Sequence, residues 1–384
     1  MLLSNIKLLN DNQPVNIEIS DEKISNIERG GNHQTGKGIF FSAAMAFPGL
    51  INSHDHLDFN CFSPFGKKCY TSYTEWGNDI HEQYKAEIDA ILKIPQHLRV
   101  QWGMYKNLLA GITTVVNHGE ILQVENPLIH IYQHTQNLHS VKFEKKWKWK
   151  LNNPLLINRA CAIHVGEGTD KQSADEIDAL LKWNLLGRQL VGIHAVAMNA
   201  RQAKKFKALV WCPESNKVLL GIHAAIAQLK TNTQIVFGTD STLTGHWNVW
   251  QHLRLARALE YLNDAALFEM ITSAPAKLWG FNNGALLPGK YADIIIAKTV
   301  NGNTCWDNFF STNPENILLI LQHGKIRMFD ETILTQLINE GIDTSRFSTI
   351  CINNSKKWVE GQLPALIKKI KSHHPGIQFP LNVH

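Results

Sequence analysis

Two histidines close the apolar segment 48–56 and are separated by one residue. If this segment is a strand, His54 and His56 lie on the same face, because successive side chains alternate between faces. Two imidazoles side by side form half of a site for a divalent metal ion. A single His-x-His pair also occurs in ordinary polar loops, so its meaning depends on what ends the other strand-like segments.

Histidine or aspartate also follows four further strand-like segments. These residues are His118, His164, His194 and Asp240, and the run 209–212 is the exception. The active groups of a parallel barrel lie at the C-terminal ends of its strands, so these side chains are expected to meet. Core packing gives no reason for the pattern, because buried carboxylates are rare without a partner.

Three imidazoles and one carboxylate of this set can hold one Zn²⁺ with a water in the open position: His54, His56, His164 and Asp240. Such a metal lowers the pKa of the water toward ~7 and makes hydroxide available at neutral pH. Asp240 is the candidate acceptor of the water's proton, and Glu167 is the candidate proton donor to a leaving nitrogen. His194 is a candidate to polarise the attacked bond or to hold the hydroxide in line. The alternative for His194 is a hydrogen-bonded core histidine.

The central part of the chain alternates strand and helix patterns. Alternation of this kind predicts a parallel sheet, and about eight repeats predict a (β/α)8 barrel of the TIM type. The segment 120–154 is too short for two strands with their helices, because one βαβ unit takes roughly 30 residues. We therefore expect an α/β fold whose barrel is distorted at this segment.

The β-rich ends of the chain predict a small composite β-sandwich domain built from both termini. The expected domains are 1–46 with 285–330 for this composite domain and 47–284 for the metal-dependent catalytic barrel. Residues 331–384 are expected to form a separate C-terminal tail, partly helical, with one amphipathic helix near 363–371.

Length and composition exclude several classes of protein. The chain has 384 residues, 44% of them hydrophobic, without an apolar run long enough to span a membrane or a signal-peptide pattern at its start. Its six cysteines are scattered without a C-x-x-C pair, which favours free thiols in a reducing compartment. We expect a cytoplasmic protein with no membrane partner.

Lysines alternate with Trp147 and Trp149 in the segment 142–150, while the whole chain has a formal net charge of only +5. This segment could hold a nucleic-acid strand by charge and stacking. The alternative is a solvated edge whose tryptophans pack inward. We favour the second interpretation, because no further basic cluster extends the first, and we expect no nucleic-acid partner.

Five motifs resemble those of the amidohydrolase superfamily, within its cytosine deaminase-like, guanine deaminase-like and triazine hydrolase-like branch. They are PGLINSHDH at 48–56, IHVGEGTD at 163–170, VGIH at 191–194, WCPESN at 211–216 and FGTDS at 237–241. With GKYADI at 289–294, the resemblance covers residues 1 to about 330. It implies a distorted (β/α)8 barrel, a composite β-sandwich domain and a mononuclear site for zinc, with iron as the alternative. A homodimer is a family expectation.

The resemblance assigns roles to individual residues. It places the metal ligands on His54, His56, His164 and Asp240, the acid/base residue on Glu167 and the histidine of the sixth barrel strand on His194. No lysine lies where a carboxylated bridging ligand would be recognised, which favours one metal ion. Ser215 and Asn216 are expected to shape their loop, because no histidine lies at a spacing that would activate Ser215.

Three residues are candidate substrate contacts. His118, in the motif NHGE at 117–120, is a substrate contact, an alternative ligand or a plain hydrogen-bonded histidine. Trp76 belongs to the aromatic-rich loop 57–106, which either covers the pocket and stacks on a flat ring or only fills space. His246 lies shortly after Asp240 and is a candidate for the pocket rim.

The sequence therefore predicts a metal-dependent amidohydrolase that cleaves a non-peptide C–N bond of a small molecule by attack of a metal-bound hydroxide. Deamination of an aminated heterocycle is the leading reaction. Hydrolysis of a small or cyclic amide, or of another leaving group on such a ring, is the close alternative. A catalytically silent barrel scaffold is the alternative of a different class, and a non-hydrolytic isomerase or decarboxylase shares the same ligands.

Overall fold

The computed structural model describes residues 1–9, 11–30 and 38–383. The fold is mixed α/β, with one large sheet that gathers strands from both ends of the chain and two parallel sheets in between. Within these described residues, no helix has the length and apolar character needed to cross a bilayer. None of the six cysteines, all of which lie in the described part, forms a disulfide.

Five strands at the start of the chain enter the large sheet. They are β1 Leu2–Leu8, β2 Asp11–Ser20, β3 Lys23–Arg29, β4 Ile39–Phe40 and β5 Ala44–Pro48. β1 pairs antiparallel with β2 and parallel with both β4 and β5. Ile17 and Ile19 are buried and Glu18 between them is exposed, which is the period of two expected for a strand with one face on the core.

Eight parallel strands follow. They are β6 Leu50–Asp55, β7 Ile112–Asn117, β8 His130–Tyr132, β9 Gln136–Ser140, β10 Cys161–Val165, β11 Leu190–His194, β12 Ala208–Trp211 and β13 Gln234–Phe237. One sheet has the order β6-β7-β8 and the other the order β9-β10-β11-β12-β13. The backbone N–H groups of Thr239 and Asp240 donate to His54 O at 3.2 and 3.0 Å. The two sheets therefore meet at strand ends that carry candidate ligands.

The segment 120–154, which is too short for two strands with their helices, is irregular in the structure. It contains β8 and β9, which are separated only by residues 133–135, and no helix lies between them in this fully described segment. The distortion that the sequence predicted at this point is therefore present in the strand arrangement.

Fourteen α-helices lie in the described chain, and most connect the parallel strands. They are α1 Tyr73–Gln83, α2 Lys85–Leu92, α3 Gln96–Leu109, α4 Trp147–Leu151, α5 Lys171–Trp183, α6 Ala200–Ala203, α7 Pro213–Leu220, α8 Ile226–Leu229, α9 Val249–Ala258, α10 Asp264–Ile271, α11 Ser273–Trp279, α12 Cys305–Ser311, α13 Leu334–Asn339 and α14 Leu363–His373. Short 3-10 helices cover Leu57–Phe59, Pro154–Leu156, Pro314–Asn316 and Glu331–Ile333. α3 packs against β7 and is buried along nearly its whole length.

Six strands near the end of the chain complete the large sheet. They are β14 Ile294–Lys298, β15 Ile317–Gln322, β16 Lys325–Asp330, β17 Phe347–Ile352, β18 Ser355–Glu360 and β19 Asn382–Val383. β14 pairs antiparallel with β5 and so joins the two ends of the chain. The sequence predicted a separate tail from residue 331, but β18 pairs with β16 and β17 pairs with β18. The predicted amphipathic helix is α14, which packs against α3.

Candidate active site

The exits of three parallel strands, β6, β10 and β13, bring the predicted metal ligands together. His164 Nε2 lies 3.2 Å from His54 Nε2. Asp240 Oδ1 lies 3.7 Å from His54 Nε2 and 3.8 Å from His56 Nε2. The ligand atoms of His54, His56 and Asp240 lie within 4.8 Å of one another, as do those of His54, His164 and His194. His54, His164 and Asp240 are buried, and His56 is partly exposed.

The donor set suits a divalent ion. Two histidine nitrogens at zinc-bond distance from one ion and at the tetrahedral angle are about 3.3 Å apart, which matches the spacing of His54 and His164. His164 Nδ1 lies 2.7 Å from the carbonyl oxygen of His139. Because only a protonated Nδ1 can donate to a carbonyl, Nε2 of the neutral ring keeps its lone pair for a metal. Imidazole and carboxylate donors suit zinc and iron alike.

Burial favours the metal-binding neutral form of three imidazoles in the site. It lowers the pKa of His54, His118 and His164 well below the usual value, and the neighbouring imidazoles lower it further. Because a protonated ring cannot coordinate a cation, the lowered pKa keeps these three rings able to bind a metal.

Asp240 is oriented by a set of short hydrogen bonds. Its Oδ2 accepts from Ser215 Oγ at 3.0 Å and from Thr244 Oγ1 at 2.8 Å, while Oδ1 accepts from Ser241 N at 2.8 Å. Burial alone would raise the pKa of Asp240, but His56, His194 and these hydrogen bonds together lower it below the usual value. Asp240 is therefore a carboxylate whose Oδ1 is directed at His54 and His56.

His194 faces the two candidate proton carriers. Its Nε2 lies 3.4 Å from Glu167 Oε1 and 4.0 Å from Asp240 Oδ2, and burial lowers its pKa to about 4. The side-chain amide of Asn216 donates to Nδ1 at 3.0 Å, so the proton of the neutral ring lies on Nε2. In this orientation His194 is a hydrogen-bond donor toward the site.

Glu167 is a buried carboxyl at the edge of the cluster. Burial raises its pKa well above the usual value, and the nearby carboxylates of Asp240 and Glu176 raise it further. Burial therefore shifts this carboxyl toward its protonated form, compared with an exposed glutamate. A buried carboxyl of raised pKa beside a metal-type cluster is suited to donate a proton.

The candidate substrate contacts differ in position. His118 is buried in the cluster, with its ring centroid 4.5 Å from that of His164 and 5.2 Å from that of His54. Trp76 instead donates through Nε1 to Phe65 O and packs with Tyr73. His246 accepts at Nδ1 from Asn248 N in a turn. Of these three residues, all of which lie in the described part of the chain, His118 is the one whose ring adjoins the predicted ligands.

Three residues hold the proposed site residues in place, and the sequence did not predict their hydrogen-bond partners. They are Ser215, Asn216 and Thr244. The first two lie in WCPESN and were expected only to shape their loop, whereas they hold Asp240 and His194. Thr244 donates to Asp240 from four residues further on. The WCPESN motif was the sequence signal for Ser215 and Asn216. It did not indicate their partners, because those lie at the ends of other strands.

Comparison with known proteins supports the family resemblance. The sequence profile described as the amidohydrolase family matches residues 157–327. A curated relative, the 5-methylthioadenosine/S-adenosylhomocysteine deaminase of Caldicellulosiruptor saccharolyticus, is 24% identical over 47% of this chain and 48% of the relative. The matched region thus spans about half the length of that relative. These matches confirm the amidohydrolase resemblance carried by the motifs.

Two solved structures share the fold at low sequence identity. An adenosine deaminase from Xanthomonas campestris with bound zinc has a TM-score of 0.72 at 13% identity and covers 98% of both chains. Atrazine chlorohydrolase from Arthrobacter aurescens TC1, complexed with zinc, has a TM-score of 0.65 at 16% identity and covers 85% of this chain and 94% of that chain. The similarity extends over nearly the whole chain for the adenosine deaminase and over most of it for the chlorohydrolase.

Proposed function

We propose that this protein is a metal-dependent hydrolase that deaminates an aminated heterocycle. One observation carries the proposal: a buried carboxyl, Glu167, lies 3.4 Å from His194 Nε2, beside a cluster of three imidazoles and one carboxylate whose atoms could hold a metal ion. That arrangement combines metal ligands with a proton donor in one site. The deaminases among the similar proteins support the same reaction class.

His54, His56, His164 and Asp240 are the proposed ligands of one divalent ion, zinc or iron. When bound, such an ion supplies a water of lowered pKa and polarises the attacked carbon–nitrogen bond. Asp240 takes up the proton of the attacking water, and Glu167 gives a proton to the nitrogen that leaves as ammonia. His194 donates through Nε2 to the oxygen that is added to the ring.

His118 is the proposed substrate contact of the imidazole cluster, because its ring adjoins three proposed ligands without a side-chain hydrogen bond among the described residues. Trp76, in a loop that covers the pocket, and His246, at the pocket rim, remain proposed substrate contacts. Hydrolytic displacement of a different leaving group from a similar ring is the second candidate reaction, because atrazine chlorohydrolase shares the fold. The ligand set and the proton donor would serve both reactions.

We also propose the finer architecture. The three-stranded and five-stranded parallel sheets together form a distorted (β/α)8 barrel over 47–284, and 1–46 with 285–330 form a composite β-sandwich domain. The contacts of Thr239 and Asp240 with His54 O support the barrel. A cytoplasmic location and a homodimer remain proposals, the first from the six cysteines without a disulfide.

Metal content and ammonia release test the function together. The wild-type chain, purified without added metal or chelator, is expected to hold about one zinc or iron ion and to release ammonia from a member of an aminated heterocycle panel. His56→Ala is expected to lose both properties, because it removes a ligand. His134→Ala, at an exposed histidine, is the matched control and should keep both.

Each outcome discriminates between hypotheses. Two ions per chain would indicate a bridging ligand and would shift the reaction to amide or ester hydrolysis. No metal, even after zinc is added, would favour the catalytically silent scaffold. One ion with no ammonia from any ring, but with release of another leaving group, would favour the second reaction.

A further inference from the structure

A buried ion pair lies directly behind the candidate metal site. Lys106 Nζ in α3 contacts Asp55 Oδ2 at 2.9 Å, and both side chains are at most 1% exposed. Asp55 is the residue between His54 and His56. Burying a lysine and a carboxylate costs several kcal/mol of desolvation per ion, and their attraction offsets this only with good geometry and further hydrogen bonds.

Those further hydrogen bonds are present around Asp55. Its Oδ2 also accepts from Asn107 Nδ2 at 2.7 Å, and its Oδ1 accepts from Asn60 Nδ2 at 3.0 Å. Asn60 in turn accepts from Thr242 N at 3.2 Å, in the loop that follows Asp240. The carboxylate is therefore saturated by donors from α3 and from the segment that follows β6.

The same network reaches the exit of β13. Asn52 Nδ2 donates to Thr239 Oγ1 at 2.7 Å, and Asn52 Oδ1 accepts from Thr239 N at 3.0 Å. Lys106 Nζ also lies 3.4 Å from Thr239 Oγ1. Thr239 immediately precedes Asp240, so one connected set of side chains joins the strand end bearing two proposed histidine ligands to the strand end bearing the proposed carboxylate ligand.

We infer that Lys106 and Asp55, with Asn52 and Thr239, act as positioning residues that set the spacing between the ligand-bearing ends of β6 and β13, and thereby the affinity for the metal. This inference rests on the proposed metal-dependent function. None of the four side chains needs to touch the ion or the substrate. Residues of this supporting kind typically change metal affinity 10–100-fold when they are removed.

The chain offers a matched control for loss of a buried ion pair. Lys357 Nζ in β18 contacts Asp330 Oδ2 at 2.6 Å, and their side chains are 0% and 3% exposed. This pair lies in the large mixed sheet, where Lys357 Nζ also donates to the backbone oxygens of Glu315 and Ile317. Asp330 also accepts from Ser355 and Thr332, and Lys298 Nζ lies 4.0 Å from its Oδ2. Lys357→Met therefore reproduces the general cost of removing the lysine from a buried, hydrogen-bonded ion pair, away from the proposed ligands.

Zinc affinity, measured by competition with a chromophoric chelator on protein shown to be folded by circular dichroism, tests the inference. Lys106→Met is expected to bind Zn²⁺ at least tenfold more weakly than wild type, and Lys357→Met within twofold of wild type although both lose thermal stability. Affinity within twofold of wild type for Lys106→Met, or an equal loss for Lys357→Met, would overturn the inference. A wild-type chain that binds no Zn²⁺ would instead overturn the proposed function.

Thr239→Val provides a second test if Lys106→Met does not fold. Valine is nearly the same shape as threonine but lacks the hydroxyl. The ion pair therefore stays intact, and the contacts of Lys106 and Asn52 with the Thr239 hydroxyl are lost, while the hydrogen bond from Thr239 N to Asn52 Oδ1 remains. We expect a threefold or greater loss of Zn²⁺ affinity for Thr239→Val. Affinity within twofold of the wild-type value would overturn the inference here as well.

Discussion

His194 and Asp240 both have positive φ angles, 71° and 58°. Residues other than glycine pay about 1–3 kcal/mol for such a conformation, and it persists where the surroundings enforce it. Ser215 and Thr244 hold the Asp240 side chain, and Asn216 holds the ring of His194. At the scale of single residues, hydrogen bonds from neighbouring elements thus support a strained backbone at two strand exits of the proposed active site.

Glu167→Gln tests the proton donor. Glutamine has nearly the same shape but cannot deliver the proton, so turnover should fall by about 10²–10⁴-fold, while the metal content stays at the wild-type value. Steady-state ammonia release and elemental analysis measure the two quantities. Glu120→Gln, at an exposed carboxylate, is the matched control. A fully active Glu167→Gln would remove this residue from the mechanism.

The identities of the site residues could be predicted because they follow recognisable strands. A strand exit can be read from a short apolar run, and His54, His164 and Asp240 each stand at one. The partners of Ser215 and Asn216 could not be predicted in the same way. Asn216 holds a ring 22 positions away, and Ser215 an aspartate 25 positions away. Both partners lie at the exits of the strands that flank β12 in the sheet, and no local periodicity specifies which side-chain atoms meet there.

At the scale of elements, the connection from β10 to α5 fixes the loop that carries Glu167. Glu176 of α5 reaches back so that its Oε1 accepts from Gly166 N at 2.8 Å, and Asp170 caps the helix by accepting from Ser173 N at 2.7 Å. Gly166 has a φ of 62°, which glycine adopts at little cost. The loop is thus held at both ends, and its glycine permits the turn.

Glu176 should make stability depend on pH. Burial raises the pKa of Glu176 to about 7, above the value of 4.5 for a free side chain. The contribution of Glu176 to the free energy of unfolding is then fully present below about pH 4.5. It is lost as the pH rises through about 7, and the loss amounts to at most about 3 kcal/mol. Urea unfolding at pH 5 and pH 8 should show this loss for wild type and a smaller one for Glu176→Gln. Identical differences for the two proteins would contradict the prediction.

Helices and strands with a regular spacing of apolar residues were easier to predict than those without one. The apolar pattern predicts a helix over 173–182, and α5 covers Lys171–Trp183, because its apolar face repeats regularly. The basic segment 142–150 was expected to direct its tryptophans inward, which is correct for Trp147 and wrong for Trp149, which is 83% exposed. Residues two positions apart in a helix point about 200° away from each other, so Trp147 and Trp149 cannot both face the core.

At the scale of the whole molecule, the C-terminal region supports the helix that carries Lys106. Phe379 packs edge-on against Trp102 of α3 with ring centroids 4.7 Å apart, and Tyr105 donates through its hydroxyl to Glu360 O at 2.9 Å. The expectation of a separate tail failed because strand pairing and helix docking between distant segments leave no local signal. α3 is therefore packed between the parallel strands and the chain's last helix.

This arrangement predicts that the C-terminal region unfolds together with the catalytic part. Ile370 of α14 is fully buried in the same core as α3, so Ile370→Ala should lower the free energy of unfolding by about 2–4 kcal/mol. Ile338→Ala, at a side chain 55% exposed, is the matched control and should cost less than about 0.5 kcal/mol. Denaturant titration followed by tryptophan fluorescence and by zinc release should give one shared midpoint for Ile370→Ala, shifted from wild type. If zinc release kept the wild-type midpoint while fluorescence shifted, the C-terminal region would be an independent unit, because the metal site would then survive its unfolding.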